Sequence, residues 1–311
     1  MTKSFAVIPW VLAATACGDV PATGADARLV DSTPDIDADL RACDPQKPFG
    51  DLRPVAGIGT ADGEINPSLS ADELTVYFFS NRQNPGTADF DAYVATRPAR
   101  DAAFGAPGPI TAINTPDDQR GGSLSSDGRS LFYHSSITGE YNVYVATRAN
   151  AAAPFGAGVS LGAGVNTANA DQQPFIAADG ATLYFDRTPA AGGMSSIYRA
   201  SAGPTGFTGA TMVSELSTPT SNSARPVVSA DGLTVYFSSD RPGGAGSLDI
   251  WVATRPSLTA PFDQITNVAA LNGSGFEFAD WLSADDCRIY FSSQRTGGAG
   301  GADIWQATRP R

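Results

Sequence analysis

The sequence contains very little histidine, lysine and cysteine. Its 311 residues include one histidine (His134), three cysteines, and two lysines against 18 arginines. A single histidine excludes a metal centre with several imidazole ligands, and its place in an aromatic run argues against a Ser-His-Asp triad. The formal net charge is -12, and no basic cluster could follow a phosphate backbone. We therefore expect no metal, no cofactor and no nucleic-acid partner.

Helical periodicity and long apolar segments are also missing. Charged residues make up 17 % of the chain, and no stretch repeats apolar residues at helical spacing, which excludes a helical bundle or a coiled coil. Glycine (33 residues) and proline (22 residues) are abundant, and they separate short runs rich in valine, tyrosine, phenylalanine and isoleucine. This pattern predicts an all-β fold with many short strands and tight turns.

Residues 1–16 have the layout of a signal peptide. Lys3 precedes an apolar run over 5–14, and small residues follow it before Cys17. The run is too short to remain as a membrane span. The sequence LAATAC, which ends at Cys17, resembles the lipobox of bacterial lipoproteins, although Ala14 stands where leucine is preferred. The resemblance implies lipidation of Cys17, but the same residues fit the cleavage site of a freely secreted protein, and both alternatives stay open.

Residues 17–46 are rich in alanine, aspartate, threonine and proline and have almost no aromatic side chains. Such a segment buries too little apolar surface to fold alone, so we predict an acidic, flexible tether. Asp35, Asp37 and Asp39 are spaced like the opening of a calcium loop, but Leu40 stands where that loop needs glycine. A solvated linker is therefore the preferred interpretation.

A unit of about 50 residues recurs along the rest of the chain. Its clearest copy, 225–256, reads as an apolar run, an Asp-Gly turn, an aromatic run, a glycine-rich loop and a third run. A fourth run completes each copy. The turn aspartate recurs at intervals of 55, 52, 52 and 54 residues, as Asp72, Asp127, Asp179, Asp231 and Asp285. Five copies of four short strands are predicted.

The motifs of this copy resemble a known repeat. They are SADG (229–232), SSDR (238–241) and DIW (249–251), and they are similar to the WD-repeat-like, TolB-type β-propeller repeats of bacterial envelope proteins. The resemblance covers about residues 47–311 and implies a propeller. It implies little about activity, since one propeller framework carries many unrelated functions.

A second marker indicates how the ring closes. A phenylalanine precedes each turn aspartate by 23 or 24 residues, at Phe49, Phe104, Phe155, Phe207 and Phe262. Only 26 residues follow Asp285, so the last copy lacks its fourth strand, while the N-terminal copy has one to spare. We predict a five-bladed β-propeller of four-stranded blades over 47–311, closed by an outermost strand near 52–58.

Two of the three cysteines lie where that closure occurs. Cys43 lies just before the N-terminal strand, and Cys287 lies in the first turn of the last blade. A disulfide between them would clamp the ring in an oxidising compartment, and would leave Cys17 for a lipid; two unpaired thiols are the alternative.

Residues repeated in most blades are interpreted as architectural. The turn aspartates are expected to bind their own turn backbone. An aspartate or asparagine on the third strand (Asp91, Asn142, Asp249, Asp303) recurs in register with a loop arginine, and we expect the two to pair, the arginines being Arg82, Arg187, Arg241 and Arg295.

Function is instead expected where the copies differ. The position eight residues before each turn aspartate varies, as Glu64, Gln119, Asp171, Ser223 and Glu277, and should surround the central channel. Asp62, Asp118, Arg120, Arg225 and Asp280 lie nearby. This mouth is either a solvated rim or a pocket for a ligand or cation. The ligand-binding residues predicted are Glu64, Gln119, Arg120, Asp171, Arg225, Glu277 and Asp280. Trp281 is expected to pack rather than stack on a sugar, and His134 to be a local substitution without chemistry.

The favoured function is an exported, monomeric binding or scaffolding module for an envelope protein or a small ligand. It would contact the membrane only through a lipid anchor, or be secreted. The alternative is a carbohydrate-active hydrolase that uses Glu64, Asp171 and Glu277. Convergence of these three carboxylates in a deep pocket would favour the enzyme.

Overall fold

The computed structural model describes residues 43–311, so the predicted signal peptide, Cys17 and most of the tether lie outside the described residues. The described part is almost entirely β-structure, apart from one turn of 3-10 helix at Gly162–Gly164. Within it, no helix is long and apolar enough to cross a membrane. In chain order the strands are β1 (Gly50–Pro54), β2 (Glu64–Leu69), β3 (Thr75–Ser80), β4 (Asp91–Thr96), β5 (Gly108–Pro109), β6 (Gln119–Leu124), β7 (Ser130–Thr138), β8 (Glu140–Thr147), β9 (Val159–Ser160), β10 (Ala170–Ile176), β11 (Thr182–Thr188), β12 (Ser196–Gly203), β13 (Gly206–Met212), β14 (Ser223–Val228), β15 (Thr234–Ser239), β16 (Asp249–Thr254), β17 (Asp263–Asn267), β18 (Glu277–Leu282), β19 (Arg288–Ser293) and β20 (Asp303–Thr308).

The strands form five four-stranded antiparallel sheets, each a propeller blade. Blades 1 to 4 take consecutive strands, β2–β5, β6–β9, β10–β13 and β14–β17. Blade 5 consists of β18, β19, β20 and β1, and β1 pairs with β20 from Gly50↔Thr308 to Pro54↔Trp305. The predicted fold and its N-terminal closure are confirmed. The closing strand ends earlier than predicted because a turn follows it, in which Gly57 has φ +94°.

The hydrophobic core lies between neighbouring blades. One cluster, for example, joins Tyr77 and Phe79 of blade 1 to Leu131 and Tyr133 of blade 2. Four of the five phenylalanines that precede the turn aspartates lie beneath an arginine that follows the third strand of a blade. The distance from ring centroid to guanidinium is 4.2–4.5 Å in the pairs Arg309–Phe49, Arg97–Phe104, Arg148–Phe155 and Arg255–Phe262. Blade 3 has Ala202 in place of this arginine, and its Phe207 packs edge-on against Phe132 instead.

The ring has two distinct faces. On the turn face, each turn aspartate accepts hydrogen bonds from its own turn, as Asp231 does from Ser229 Oγ and Leu233 N. We call the opposite side the loop face, where each innermost strand begins and the long loops join second to third strands. The disulfide Cys43–Cys287 lies by the turn of blade 5, with 5.5 Å between Cα atoms. The backbone N–H of Asp44 donates to the carbonyl of Pro310, so residues 43–46, assigned to the tether from sequence, contact the propeller.

Candidate functional site

The variable position at the start of each innermost strand is buried inside its own blade. Glu64, Gln119, Asp171, Ser223 and Glu277 have no exposed surface. The Glu64 carboxylate accepts hydrogen bonds from Thr60 N and Oγ1, Ser80 Oγ and Arg82 Nη2. Asp171 is bound in the same way by Thr167 and by Arg187 Nε at 2.6 Å. These side chains tie loops to blades, so the prediction of a solvated channel mouth is wrong for them.

The loop arginines pair with this position and not with the third-strand aspartates, contrary to the sequence-based expectation. Arg82 and Arg187 contact Glu64 and Asp171, and Arg295 lies 3.5 Å from Glu277. Each guanidinium also covers an aromatic pair of its blade. Two of the third-strand aspartates cap the preceding loop instead: Asp249 accepts from the backbone N–H groups of residues 245 and 246, and Asp303 accepts from that of residue 300.

Charge at these positions is matched in blades 1, 2, 3 and 5, whereas in blade 4 Arg241 donates to the neutral Ser223 Oγ at 3.2 Å. Blade 2 has Ile137 where blades 1, 4 and 5 have an arginine, and its variable residue is the neutral Gln119; in blade 3 the arginine, Arg187, lies two residues earlier, directly opposite Asp171. Gln119 satisfies its amide with Thr115 and Ser135. In blades 1, 2, 3 and 5 the variation that suggested function is therefore explained by local pairing.

The channel itself is closed by an axial layer of five residues, one from each blade: Asn66, Gly121, Gln173, Arg225 and Asp280. Each lies at an irregularity of its innermost strand, and the first four have φ between +50° and +66°. The irregularity turns these residues towards the axis, whereas regular alternation would not. Only glycine fits at position 121, because a Cβ there would lie 2.6 Å from His134 Nδ1.

Hydrogen bonds join the axial layer across the ring. Asn66 Nδ2 donates to Gln173 Oε1 (3.1 Å) and to Asp280 Oδ1 (2.9 Å), and Gly121 N donates to Asn66 Oδ1. Arg225 Nη1 lies 3.5 Å from Asp280 Oδ1. The layer links all five blades and leaves no open central channel at this depth, where the remaining cavity is only about 20 Å³.

A cavity of about 300 Å³ opens above this layer on the loop face. Its wall comes from blades 2 to 5 and includes Arg120, His134, Asp186, Arg225 and Phe278. His134 and Asp186 occupy the second-strand position that is Phe79, Ser238 and Ser292 in the other blades. This volume is at the lower end of the range for small-molecule sites, about 300–1,000 Å³. We call it the loop-face cavity.

Two arginines face the cavity with restrained side chains. The Arg225 guanidinium lies 3.7 Å from the centroid of Phe278. Arg120 lies 4.5 Å from the Phe90 centroid, and its Nε is 2.7 Å from Asp118 Oδ2. Asp118 also accepts from Tyr141 Oη at 2.7 Å. These contacts fix both guanidinium groups before any ligand arrives.

The ionisable groups of the site have shifted pKa values because they are buried. Burial lowers the pKa of His134 well below its usual value, and the charges of Arg120 and Arg225 lower it further. Burial raises the pKa of Asp186 and of Asp280 to about 6, against the opposing effect of Arg225. The Arg225 pKa falls to about 10, again mainly through burial, so Arg225 stays charged at neutral pH. The site combines a neutral imidazole, two cations and two readily protonated carboxyls.

The structure therefore brings together only part of the predicted set. Arg120 and Arg225 line the loop-face cavity, and Asp280 lies in the layer beneath it. Glu64, Gln119, Asp171 and Glu277 do not line it. His134, which the sequence analysis interpreted as a local substitution without chemistry, lines the cavity, and so do Asp186 and Phe278, which were not predicted, although the second-strand position varies among the repeats as strongly as the one chosen. In the described part, no group of three His, Cys, Asp or Glu side chains is placed to hold a metal ion.

The turn face has a second, smaller cavity of about 130 Å³. Its wall is mostly aliphatic and includes Leu69, Leu124, Val228 and Trp281. Trp281 packs edge-on against Tyr290, with 5.5 Å between ring centroids. This contact agrees with the expectation that Trp281 has a packing role.

Comparison with models of known protein families and with curated proteins gives no match for this chain. Solved structures are similar at low identity. Endo-arabinase from Bacteroides thetaiotaomicron has a TM-score of 0.53 and 15 % identity, covering 83 % of this chain and 96 % of its own. Zg3597, a family 117 glycoside hydrolase from Zobellia galactanivorans, has a TM-score of 0.51 and 12 % identity, covering 84 % and 90 %.

TolB from Acinetobacter baumannii is also similar, with a TM-score of 0.48 and 16 % identity over 79 % of this chain. This chain spans 54 % of the length of that TolB. At such identities, these likenesses are likenesses of fold.

Proposed function

We propose that the protein is an exported binding module whose ligand site is the loop-face cavity. The observation that carries this proposal is a pair of buried nitrogens, His134 Nε2 and Arg225 Nη1, that have no hydrogen-bond partner within residues 43–311. Both residues line the cavity. Buried polar atoms are nearly always paired in folded proteins, so an unpaired imidazole N–H beside a guanidinium nitrogen held only by a 3.5 Å ion pair with Asp280 supports a role in binding a ligand.

Export is part of the proposal. The disulfide Cys43–Cys287 suits an oxidising compartment, and residues 1–16 have the composition of a signal peptide. Lipidation at Cys17 would anchor the propeller to a membrane, and cleavage before the same residue without lipidation would release it.

Hydrolysis by the three predicted carboxylates is not favoured. Glu64, Asp171 and Glu277 are buried in separate blades, and each already accepts several hydrogen bonds or an ion pair. A glycosidase needs one carboxyl to protonate the leaving group and another to attack or to activate water. None of the three reaches the cavity wall.

A pair of alanines tests the location of the site. Ala224 lines the loop-face cavity and Ala230 lines the turn-face cavity, and both belong to blade 4. Thermal-shift measurements with sugars, amino acids and organic acids at about 10 mM should raise the Tm of the wild type and of Ala230→Trp, but not of Ala224→Trp. Thr188→Trp, on the same cavity wall, replaces Ala224→Trp if that variant does not fold. Equal stabilisation of both tryptophan variants, or none in the wild type, contradicts the proposal.

A further inference from the structure

We propose that the loop-face cavity binds the carboxylate group of a small organic acid, which accepts hydrogen bonds from His134 Nε2 and Arg225 Nη1. This inference rests on the proposed function and adds the chemistry of the ligand. Its basis is the set of hydrogen bonds around the two residues.

His134 presents one fixed donor. Its Nδ1 accepts a hydrogen bond from the backbone N–H of Gln173 at 3.2 Å, so that nitrogen carries no proton. Burial and the two neighbouring guanidinium groups keep the pKa of the ring low, and the ring is therefore neutral. The proton of a neutral ring then lies on Nε2. His134 is 1 % exposed, and Nε2 finds no acceptor in the described part of the chain.

Arg225 presents a second fixed donor. Its φ of +55° is a conformation that costs a non-glycine residue about 1–3 kcal/mol, and it directs the side chain to the axis. Phe278 holds the guanidinium plane at 3.7 Å. The Nη1 atom makes no hydrogen bond within residues 43–311 and lies 3.5 Å from Asp280 Oδ1. Asn66 and Gln173 share this conformation, so it belongs to the axial layer, and only in blade 4 does it present a cation.

The carboxylate and hydroxyl acceptors Asp186 and Tyr141 of the wall are already engaged in hydrogen bonds. Asp186 Oδ1 accepts from Arg225 N, and its Oδ2 accepts from Ser195 Oγ. The Tyr141 hydroxyl donates to Asp118. A ligand hydroxyl would bring a proton that needs an acceptor of its own, whereas a carboxylate brings acceptors only. Charge-assisted hydrogen bonds to a carboxylate are also about twice as strong as neutral ones.

The two cations of the wall each lie beside a carboxylate, Arg120 at 2.7 Å from Asp118 and Arg225 at 3.5 Å from Asp280, so an entering anion would contact guanidinium groups that are only partly compensated at Arg225. Arg120 and Arg225 both act on His134 as cations. Asp186 is the one carboxyl on the cavity wall, and burial raises its pKa to about 6, so it is readily neutralised when a second carboxylate enters.

The experiment compares each acid with a neutral analogue of the same shape. Succinate is paired with succinamide and D-glucuronate with D-glucose, and protein without a histidine tag is used. Because His134 is the sole histidine, isotope-labelled imidazole gives the signals of one ring in heteronuclear NMR. We expect an acid to shift the Nε2 signal in a saturable way while its neutral analogue leaves that signal unchanged.

Two substitutions of His134 separate its nitrogens. His134→Asn keeps an acceptor near Nδ1 for Gln173 N but has no group at Nε2, whereas His134→Gln places an amide N–H near Nε2. Acid affinity should fall about tenfold or more in His134→Asn and stay within about threefold in His134→Gln. The NMR shift is read on the wild type, so it decides the matter even if a variant does not fold.

Three results would overturn the inference. Neutral analogues could bind as tightly as acids, a bound acid could leave Nε2 unshifted, or His134→Asn could bind acids as the wild type does. In each of these cases the cavity would remain a binding site of different chemistry. If neither acids nor neutral analogues bind, the proposed function fails as well.

Discussion

Two groups of buried carboxylates in this propeller differ in how their negative charge is compensated. The blade acids Glu64, Asp171 and Glu277 lie where each blade begins, and loop N–H groups, hydroxyls and arginines surround each one. Asp186 and Asp280 lie near the axis, where Asp280 is ion-paired with Arg225 and Asp186 accepts from the Arg225 backbone N–H, and the charge of Arg225 acts on both. The first arrangement is repeated and builds the blade; the second occurs once and is incompletely neutralised. A position that varies between repeats therefore indicates function only when the pairing partners of its side chains are known.

The largest expected effect comes from unpairing a blade acid. Arg82→Ile removes the guanidinium 3.1 Å from Glu64 and leaves a fully buried carboxylate without a cation. Breaking a buried ion pair in this way costs about 3–5 kcal/mol. Urea denaturation of the variant measures the loss in the free energy of unfolding.

Blade 2 supplies the matched control. It pairs Gln119 with Ile137, so the double variant Glu64→Gln/Arg82→Ile gives blade 1 the same neutral combination. The double variant should be more stable than Arg82→Ile by about 1–3 kcal/mol. If it is no more stable, charge matching is not what these positions provide.

A second prediction concerns how the two carboxyls near the axis make the stability depend on pH. Asp186 and Asp280 have a pKa of about 6 in the folded protein, above the usual 3.8, because they are buried. Between about pH 4 and 6 these two carboxyls bind more protons in the folded protein than in the unfolded chain, so their contribution to the free energy of unfolding falls as pH rises, whereas His134, whose pKa is lowered, contributes in the opposite direction. The expected loss is about 1–3 kcal/mol for each carboxyl.

Urea unfolding over a pH series measures this slope, and Asp186→Asn/Asp280→Asn should flatten it. The turn aspartates affect the free energy of unfolding in another pH range. Hydrogen bonds from Ser70 and Ser125 lower the pKa of Asp72 and Asp127, so their contribution is lost only below about pH 4. Equal pH slopes of the wild type and the double variant from about pH 4 to 6 would contradict the role given to Asp186 and Asp280.

A smaller effect is expected at a carboxyl far from the cavity. Burial, followed by the charge of Asp231, raises the pKa of Asp286 to about 6, although Asp286 is only half-buried. Its φ is +56°, which asparagine tolerates well. After allowance for solvent screening, Asp286→Asn should stabilise the protein by about 1 kcal/mol at neutral pH.

The same substitution should have no effect near about pH 4, where Asp286 is already protonated, and it should leave ligand-induced shifts in Tm unchanged. Equal gains at both pH values would show that the backbone, rather than the charge, explains the stabilisation. The comparison shows that a raised pKa alone does not mark a functional carboxyl.

The fold could be predicted from the sequence because its information is local and repeated. The intervals between Asp72, Asp127 and the later turn aspartates give the blade count, and Phe49 gives the closure. Part of the site was not predicted because the irregularity in each innermost strand changes which side chain faces the axis. Arg225 lies two residues after Ser223 and faces the cavity, whereas Ser223 is buried in the blade. The partners of Glu64, such as Thr60, come from loops whose course no repeat pattern shows.

The protonation state of His134 tests the central claim most directly. Nitrogen signals of the single imidazole, followed by NMR from about pH 5 to 8, should show one neutral ring with its proton on Nε2 throughout. That result is expected because burial and two arginines depress the pKa of His134 and because Gln173 N donates to Nδ1. A ring that titrates near its ordinary pKa, with both nitrogens protonated at the acidic end, would contradict the buried, fixed donor on which the proposed site depends.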